Sequence, residues 1–323
     1  MKVGIIGAGG VGSATLLSLV TRGTAACQVM VLDKNQARAK GVVADLQYGA
    51  TLSPSVEIRA GDYADLADAV LVVITAGINE KSGGATDRGD PAGRLRLLET
   101  NAGVYRDIVP QVVAAAPNAL LLVVTDPPDP LADLARQIAG HGRVLSSGTF
   151  LDSLRFRLHL ARRLKVNPKQ VEAQVVGEHG TSQVFLWSSA RVAGTPVAKL
   201  LEESHQAPGT FQREVEQDVR YANITIIEGT GASQLGIGMV TARIAEAILR
   251  DEHAVIPIGS YNSNYGVTLS LPSVLGRQGV SQIFEPEMTP EEQQALRHSA
   301  DVLRAAVEKM NQAAGQQTAA QRV

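Results

Sequence analysis

The sequence feature that most constrains the fold is a glycine-rich segment directly after the first apolar run. Residues 3–6 are apolar, and Gly7, Gly9 and Gly12 follow them with the spacing G-x-G-x-x-G. A helical pattern over residues 13–21 comes next. Glycines at this spacing allow a tight turn, a close approach of the backbone to a ligand, and close packing of a helix on a strand. The segment predicts a strand, a turn and a helix whose N-terminus can bind an anion.

Four short and nearly continuous apolar runs indicate a parallel sheet that is buried on both faces. They cover residues 3–6, 29–32, 69–75 and 120–125, and helical patterns lie between them. Alternating strands and helices predict an α/β fold with a doubly wound parallel sheet of the Rossmann type. Ligands of such sheets bind at the carboxyl ends of the strands.

The pattern changes after about residue 146. Longer amphipathic segments cover residues 152–164, 212–228 and 234–250, and residues 265–271 predict an antiparallel strand. We therefore predict a dinucleotide-binding domain over residues 1–146 and a mixed α+β domain over residues 147–312. Thr289, Pro290 and Glu292 have the spacing of a capping box and predict the start of the last helix. The Ala/Gln-rich residues 313–323 are expected to form a disordered tail.

Composition excludes several classes of function. The 323 residues carry a net charge of −2, which offers no basic field for nucleic acid or an anionic membrane. The single cysteine, Cys27, cannot form an intrachain disulfide, and no Cys/His group has the spacing of a structural zinc site. No export signal or membrane-spanning run is recognisable. We expect a cytoplasmic protein with small-molecule partners, no nucleic acid or membrane partner and no metal.

Asp33 indicates which cofactor the glycine-rich segment binds. It ends the second predicted strand, 21 residues after Gly12, where a carboxylate can accept hydrogen bonds from both ribose hydroxyls. The same charge repels a 2′-phosphate, so the pattern predicts NAD rather than NADP. Besides the three glycines and Asp33, the residues expected to bind NAD lie in the same turn and after later strands. They are Val11, Thr75, Ala76, Gly77, Asn101 and Thr125.

His179 and two charged residues that precede it are the candidate catalytic groups. Histidine suits proton transfer because its ordinary pKa is about 6.5. Asp152 and Arg155 are three residues apart on a predicted helix and share a face, so one can orient the imidazole while the other binds a carboxylate. A histidine in a turn and an i, i+3 ion pair are commonly structural. The predicted NAD site favours the catalytic interpretation, because oxidation of an alcohol requires a base.

These segments resemble the L-lactate/L-malate dehydrogenase family of NAD-dependent 2-hydroxy acid dehydrogenases, and L-lactate dehydrogenases more closely. The resemblance covers residues 2 to about 312. Besides the glycine fingerprint, the matching segments are residues 44–47, 75–77, 94–101, 147–152, 155–157, 177–180 and 187–188. The resemblance implies an oxidoreductase that transfers a hydride between NAD and a small L-2-hydroxy acid, and that assembles as a homodimer or homotetramer.

The same resemblance implies a role for each catalytic candidate. His179 would be the acid/base, Asp152 its orienting partner and Arg155 the group that binds the substrate carboxylate. Arg94 would polarise the substrate carbonyl from a loop that closes over the site. Excluding water there strengthens its attraction for the developing oxyanion.

The sequence of the closing loop does not decide which 2-hydroxy acid is the substrate. Residues 78–93 form a longer loop than is usual in the family. Aligned from the left, Glu80 falls near the residue that selects substrates and would disfavour malate. Aligned from the right, Arg88 lies six residues before Arg94, as in malate dehydrogenases of the family. Residues 45–49, 147–149 and 231–233 are more similar to lactate dehydrogenases, with Ser233 resembling a pocket-lining threonine, so L-lactate/pyruvate is favoured. L-malate/oxaloacetate and a bulkier 2-hydroxy acid stay open.

Two positions depart from the family pattern. Asp126 stands where the family has an asparagine whose amide donates to the substrate oxygen, and an ionised carboxylate cannot donate. We hypothesise that Asp126 makes catalysis favour lower pH. Glu172 lies seven residues before His179, where members activated by a sugar bisphosphate carry a histidine that acts with an arginine near Arg157. We expect no activation by fructose 1,6-bisphosphate.

Two other classes of function share part of this pattern. An NAD-dependent glycosidase shares the fold but needs a metal held by Cys and His, and Cys27 lies before the second strand, far from the candidate site. A non-catalytic NAD sensor would keep the glycines but has no use for His179, Asp152, Arg155 and Arg94. Both classes are disfavoured.

Overall fold

A computed structural model describes residues 1–83, 93–203 and 207–320, without the side chains of residues 93–95 and 314–320. Its first half contains six parallel strands: β1 (Lys2–Ile6), β2 (Gln28–Leu32), β3 (Glu57–Ala60), β4 (Ala69–Ile74), β5 (Leu120–Val123) and β6 (Val144–Ser146). They lie in the order β3-β2-β1-β4-β5-β6. The connecting helices are α1 (Gly10–Arg22), α2 (Gln36–Ala50), α3 (Gly93–Ala115) and α4 (Pro128–Ala139). The doubly wound parallel sheet is thus confirmed.

The centre of this sheet explains why its strands are apolar throughout. Val3 of β1 pairs with Val29 of β2 on one side and Leu71 of β4 on the other, and all three side chains are completely buried. Helices cover both faces, so neither face of a central strand can carry polar residues. The strands β3 and β6 were not predicted, because β3 alternates polar and apolar residues at the sheet edge and β6 has only three residues.

The second half begins with α5 (Phe150–Leu164) and five two-residue strands: β7 (Val171–Glu172), β8 (Val175–Val176), β9 (Val184–Phe185), β10 (Arg191–Val192) and β11 (Thr195–Pro196). The strands form two small sheets, β11-β10-β7 and β8-β9. Four helices follow: α6 (Val197–Glu203), α7 (Pro208–Arg220), α8 (Ala222–Thr230) and α9 (Leu235–Leu249). The helix predicted over residues 212–228 is broken, because Tyr221 leaves the helical conformation between α7 and α8.

Three antiparallel strands extend the main sheet. They are β12 (Ala254–Asn262), β13 (Val267–Gly276) and β14 (Gly279–Ile283), and β13 contains most of the strand predicted over residues 265–271. Within the sheet, Gly259 and Ser260 of β12 pair with Ser146 and Leu145 of β6. The result is one nine-stranded sheet in the order β14-β13-β12-β6-β5-β4-β1-β2-β3. The second half of the chain therefore shares a sheet with the first.

The last helix, α10 (Pro290–Ala320), starts where the capping box predicts. Thr289 Oγ1 accepts the N–H of Glu292, and Glu292 Oε2 accepts the N–H of Thr289, at 3.2 and 3.0 Å. The helix continues past residue 312, where we expected the chain to be disordered. Alanine and glutamine have favourable helix propensities, which lets the backbone remain helical through this segment.

Helix α9 packs directly on α1. A Cβ at Gly238 would lie 2.5 Å from the Cβ of Ala14, so only glycine permits this approach. The contact brings Gln234, at the start of α9, against Gly10 in the glycine-rich turn. Across the ranges described, we find no helix with the length and apolar composition needed to cross a membrane.

Candidate active site

A cavity of about 290 Å³ lies at the carboxyl ends of the parallel strands. Its wall combines the glycine-rich turn after β1, the segments after β4, β5 and β6, the loop between β8 and β9, and the starts of α8 and α9. The lining includes Gly9, Val11, Thr75, Gly77, Glu80, Thr125, Asp126, Arg155, His179 and Ser233. Residues from both halves of the chain therefore meet in one site.

The glycine-rich turn leaves room for a phosphate group. Gly7 has φ +105°, and a Cβ at Gly12 would lie 1.9 Å from the Gly7 carbonyl oxygen. A Cβ at Gly9 would meet nothing within 4 Å, so the space beside this backbone is open. Gly9 is the N-cap of α1 and brings no side chain to the first N–H groups of the helix. These groups fit the pyrophosphate of a dinucleotide.

Asp33 lies at the end of β2 and is bound to the turn. Its Oδ2 accepts the N–H of Ala8 at 2.7 Å, and its Oδ1 accepts the N–H of Asn35 at 2.9 Å. Arg38, which the sequence did not single out, lines the cavity here and donates from Nε to the Ala8 carbonyl at 3.0 Å. Asp33 thus fixes the turn at the place where an adenosine ribose would bind.

Some of the other residues predicted to bind NAD line the cavity, and others contact the residues that line it. Val11, Thr75, Gly77 and Thr125 line the cavity, whereas Ala76 and Asn101 do not. The Thr125 hydroxyl donates to the Ala76 carbonyl at 2.9 Å. Asn101 is completely buried, accepting the N–H of Ile78 and donating to the Asp126 carbonyl, both at 2.8 Å. Its amide joins two loops of the site, so its cofactor-binding role stays a prediction.

The three catalytic candidates with described side chains form one connected group. His179 Nδ1 lies 2.5 Å from Asp152 Oδ2, and Arg155 Nη1 donates to Asp152 Oδ1 at 3.0 Å. Burial alone raises the pKa of Asp152, but the charges of His179 and Arg155 and their hydrogen bonds hold it below its ordinary value. An ionised Asp152 accepts the proton of Nδ1, which assigns proton exchange with a substrate to Nε2.

The backbone of His179 is fixed by a residue that sequence reasoning missed. The His179 N–H donates to Oδ2 of Asp129 at 2.8 Å, and Asp129 is completely buried in the first turn of α4. Gly177, with φ +83°, packs its Cα against Ser299, whose Oγ accepts the N–H of Glu178 at 2.8 Å. The sequence shows an acidic residue at the start of α4, but nothing in it identifies His179 as the partner of that residue.

Two carboxylates form an acidic wall of the cavity near His179. Asp126 Oδ1 lies 3.9 Å from His179 Nε2. Glu80 Oε1 accepts a hydrogen bond from Nδ2 of Asn223 on α8 at 3.2 Å. Burial and the neighbouring Asp126 raise the pKa of Glu80 above its ordinary value. Both residues line the cavity together with Ser233 and with Asn223, which the sequence did not single out.

Two predicted arginines cannot be placed as side chains. Arg88 lies outside the described residues, and Arg94 is in the first turn of α3 without a described side chain. Their roles in polarising the carbonyl and choosing the substrate therefore stay predictions.

Two family models match nearly the whole chain. Residues 1–144 match the model for the NAD binding domain of lactate/malate dehydrogenase. Residues 149–314 match the model for the lactate/malate dehydrogenase alpha/beta C-terminal domain.

Similar proteins carry related names. An L-lactate dehydrogenase of Deinococcus radiodurans is 43% identical over 306 residues, which cover 94% of this chain and 97% of the relative. One of Thermus aquaticus is 40% identical over 313 residues, 95% of this chain and 98% of the relative. The crystal structure of the minor L-lactate dehydrogenase from Enterococcus mundtii in a ligand-bound form aligns with a TM-score of 0.88 at 34% identity, covering 95% of this chain and 98% of that one.

Proposed function

This chain belongs to the lactate/malate dehydrogenase family of NAD-dependent 2-hydroxy acid dehydrogenases, and we propose that its substrate pair is L-lactate and pyruvate. The observation that carries the proposal is that His179 and Arg155, joined through the buried Asp152, line a cavity that also contains the glycine-rich turn. A base, an anion-binding group and a dinucleotide site in one cavity are the components that oxidation of a 2-hydroxy acid requires.

The cofactor site has the shape and charge for NAD. The open backbone at Gly9 and Val11 would hold the pyrophosphate, and Asp33 would accept hydrogen bonds from the adenosine ribose. Thr75, Gly77 and Thr125 continue the wall toward His179. When bound, the cofactor supplies the acceptor or donor of the hydride.

The protein side chains then bind the substrate and transfer its proton. Arg155 binds the carboxylate of pyruvate or lactate through the part of its guanidinium that does not contact Asp152. His179 Nε2 receives the hydroxyl proton of lactate or returns it to the carbonyl oxygen of pyruvate. Asp152 holds the imidazole in the required tautomer and stabilises its charged form. This assignment is supported by the lowered pKa of Asp152, which keeps its carboxylate ionised.

We assign polarisation of the carbonyl to Arg94. The family resemblance supports this role, as does the position of Arg94 at the start of α3, whose Asn101 contacts the loops of the site. A guanidinium near the carbonyl oxygen would stabilise negative charge that develops there.

The acidic wall favours pyruvate over oxaloacetate. Glu80 and Asp126 both line the cavity and bring negative charge to the place where the second carboxylate of oxaloacetate would have to bind. A methyl group carries no charge and avoids this repulsion. Binding of a dicarboxylate would require a cation such as Arg88 to compensate.

The test compares oxidation of NADH with pyruvate, oxaloacetate and a branched 2-oxo acid at equal concentrations. We expect the highest kcat/KM with pyruvate. A preference for oxaloacetate would replace lactate with malate as the substrate and bring Arg88 into the site. Absence of activity with all three acids would favour the non-catalytic NAD sensor, and activity on a phosphoglycoside with added manganese would favour the glycosidase.

We also propose that the dinucleotide-binding domain ends near residue 146, that the protein is a cytoplasmic homodimer or homotetramer, and that residues 147–312 form the substrate domain. The family models support the boundary, because one match ends at residue 144 and the next begins at residue 149. Sedimentation of the purified protein would test the assembly, and a monomer at micromolar concentration would contradict it.

A further inference from the structure

The described wall of the cavity near the catalytic histidine carries negative charge. Asp126 Oδ1 lies 3.9 Å from His179 Nε2, and the charges of Asp126 and His179 both act on Glu80. Apart from His179 and Arg155, the charged residues in the described lining are Glu80, Asp126 and Arg38. Arg38 lies at the glycine-rich turn and donates to its backbone. A substrate held at His179 therefore meets two carboxylates on the described wall.

Glu80 is held in place by a neutral group. Its Oε1 accepts a hydrogen bond from Nδ2 of Asn223 at 3.2 Å. The carboxylate is partly buried, and burial together with the charge of Asp126 raises its pKa above the ordinary value. Among the described residues, the positive charge that acts on Glu80 is that of His179. A further positive charge beside Glu80 and Asp126 would reduce their repulsion and offset the cost of burying them.

The catalytic groups determine where a substrate presents its side chain. Arg155 binds the carboxylate and His179 Nε2 accepts the hydroxyl proton, so the hydroxyl oxygen lies about 3 Å from Nε2. The first carbon of the side chain, C3, is two bonds from this oxygen. A substituent on C3 can therefore approach Asp126, which lies 3.9 Å from the same nitrogen, and Glu80, on which both groups act.

The chemistry of the group on C3 decides how it interacts with this acidic wall. A second carboxylate is repelled, and a methyl group is neither repelled nor attracted. An ammonium group is attracted by both carboxylates and has three N–H donors for their oxygens. It is also small enough to replace a methyl group without a change of shape.

We propose that the site also oxidises L-2-hydroxy acids with an ammonium group on C3, and that Glu80 and Asp126 bind this group. The inference extends the substrate class beyond lactate. It rests on the proposed function, in which His179 is the acid/base and Arg155 binds the carboxylate.

The smallest substrate of this class is L-3-amino-2-hydroxypropanoate. Oxidation breaks its C2–H bond, and the hydrogen leaves with both electrons as a hydride to NAD. The hydroxyl proton passes to His179 Nε2, the C2–O bond becomes a carbonyl, and the ammonium group is unchanged. The products are 3-amino-2-oxopropanoate and NADH, and one proton is released to solvent when His179 returns to its neutral form.

The experiment compares this acid with L-2-hydroxybutanoate, in which a methyl group replaces the ammonium group. Reduction of NAD near neutral pH, where the ammonium group keeps its proton, gives kcat/KM for each acid. The ratio of the two values is taken within each protein, so a general loss of activity cancels. The proteins are wild type, Glu80→Gln, Asn223→Ala and the control Glu172→Gln. Glu172 is an exposed carboxylate on β7, outside the described lining of the cavity.

In wild type we expect kcat/KM to be at least about tenfold higher for the ammonium substrate, because attraction between charges is stronger at a partly buried site than in water. Glu80→Gln removes the charge but keeps an oxygen that accepts from Asn223. Its ratio should fall by about tenfold. Asn223→Ala leaves Glu80 charged but removes its hydrogen bond, and should lower the ratio by a smaller factor. Glu172→Gln should keep the wild-type ratio.

The inference is overturned if wild type oxidises both acids equally or prefers the methyl compound, since another cation of the chain would then already neutralise the two carboxylates. A wild-type ratio in Glu80→Gln, or an equal fall in Glu172→Gln, would also overturn it. If Glu80→Gln does not fold, Asn223→Ala decides, and an unchanged ratio there counts against the inference. Protein that oxidises neither L-lactate nor either of these acids would instead refute the proposed function.

Discussion

Glu80 accepts a hydrogen bond from Asn223 across 143 residues of sequence, joining the segment after β4 to helix α8. The bond holds a carboxylate on the cavity wall, where Asp126 adds a second one. The cavity must bind a monoanionic substrate beside these two negative charges. The charge of Glu80 and Asp126 can therefore decide which 2-oxo acid binds.

Replacing Glu80 by Gln should raise kcat/KM for oxaloacetate about tenfold, because a neutral amide removes the repulsion of the second carboxylate. Pyruvate should be affected much less. Steady-state kinetics with both acids measures the ratio. The exposed acid Glu172, changed to Gln, is the control, and an unchanged ratio in Glu80→Gln would remove Glu80 from substrate selection.

Acidic pH should raise the activity with oxaloacetate relative to pyruvate, as the Glu80→Gln substitution does. Burial and Asp126 raise the pKa of Glu80, so its carboxylate gains a proton at a higher pH than an ordinary glutamate. The ratio of oxaloacetate to pyruvate activity in wild type should rise as pH falls from about 7 to about 5. In Glu80→Gln the ratio should stay flat, and parallel pH dependence in both proteins would contradict the assignment.

Replacing Asp152 by Asn should lower kcat/KM for pyruvate by a factor of about 10² to 10⁴. The amide can hold the imidazole in place, but it favours the tautomer with the proton on the wrong nitrogen. NADH binding, followed by fluorescence, should be unchanged because Asp152 does not line the cavity. Activity within tenfold of wild type would show that the tautomer of His179 does not depend on the charge of Asp152.

Replacing Asp126 by Asn should increase kcat/KM for pyruvate at neutral pH by about tenfold and weaken its preference for acidic conditions. The amide can donate to the carbonyl oxygen, whereas an ionised carboxylate cannot. The pH profile of kcat/KM measures both effects. A profile identical to wild type would refute the hypothesis that Asp126 sets the pH dependence.

Replacing Asp33 by Ser should reduce the preference for NADH over NADPH by at least about tenfold, since it removes the charge that repels a 2′-phosphate. KM for NADH should also rise, because Asp33 fixes the turn through the Ala8 N–H. The ratio of kcat/KM for the two cofactors is the measurement. Equal discrimination in both proteins would place cofactor choice elsewhere.

Fructose 1,6-bisphosphate should leave KM for pyruvate unchanged. Glu172 is an exposed carboxylate near Arg157, and Arg157 Nε donates to the Ala173 carbonyl at 2.9 Å. A phosphate at this place would be repelled by Glu172, and Arg157 already donates to the Ala173 carbonyl. A several-fold decrease of KM on addition of the sugar bisphosphate would contradict this expectation.

The predictable part of the site depends on local spacing. Gly7, Gly9 and Gly12 follow a strand in a motif with few structural solutions, and Asp152 and Arg155 share a helix face at any tertiary arrangement. The capping box before α10 is local in the same sense and is confirmed by its two hydrogen bonds.

The missed part depends on contacts between distant segments. Asp129 reaches His179 across 50 residues, and nothing near either residue indicates the other. The sequence places Asn101 near the cofactor, but it does not show that the amide bonds the backbones of two loops. Strand β6 was missed because three residues are too few to show a period, although its pairing with β12 joins the two halves.

The pairing of β6 with β12 also limits where the chain can be cut into fragments. A fragment ending near residue 146 would keep the glycine-rich turn but expose the whole edge of β6, with the backbone groups of Leu145 and Ser146 unpaired. We expect such a fragment to self-associate through this edge when it is expressed alone. For exchange of substrate domains between relatives, the graft must therefore carry β12 together with a compatible β6.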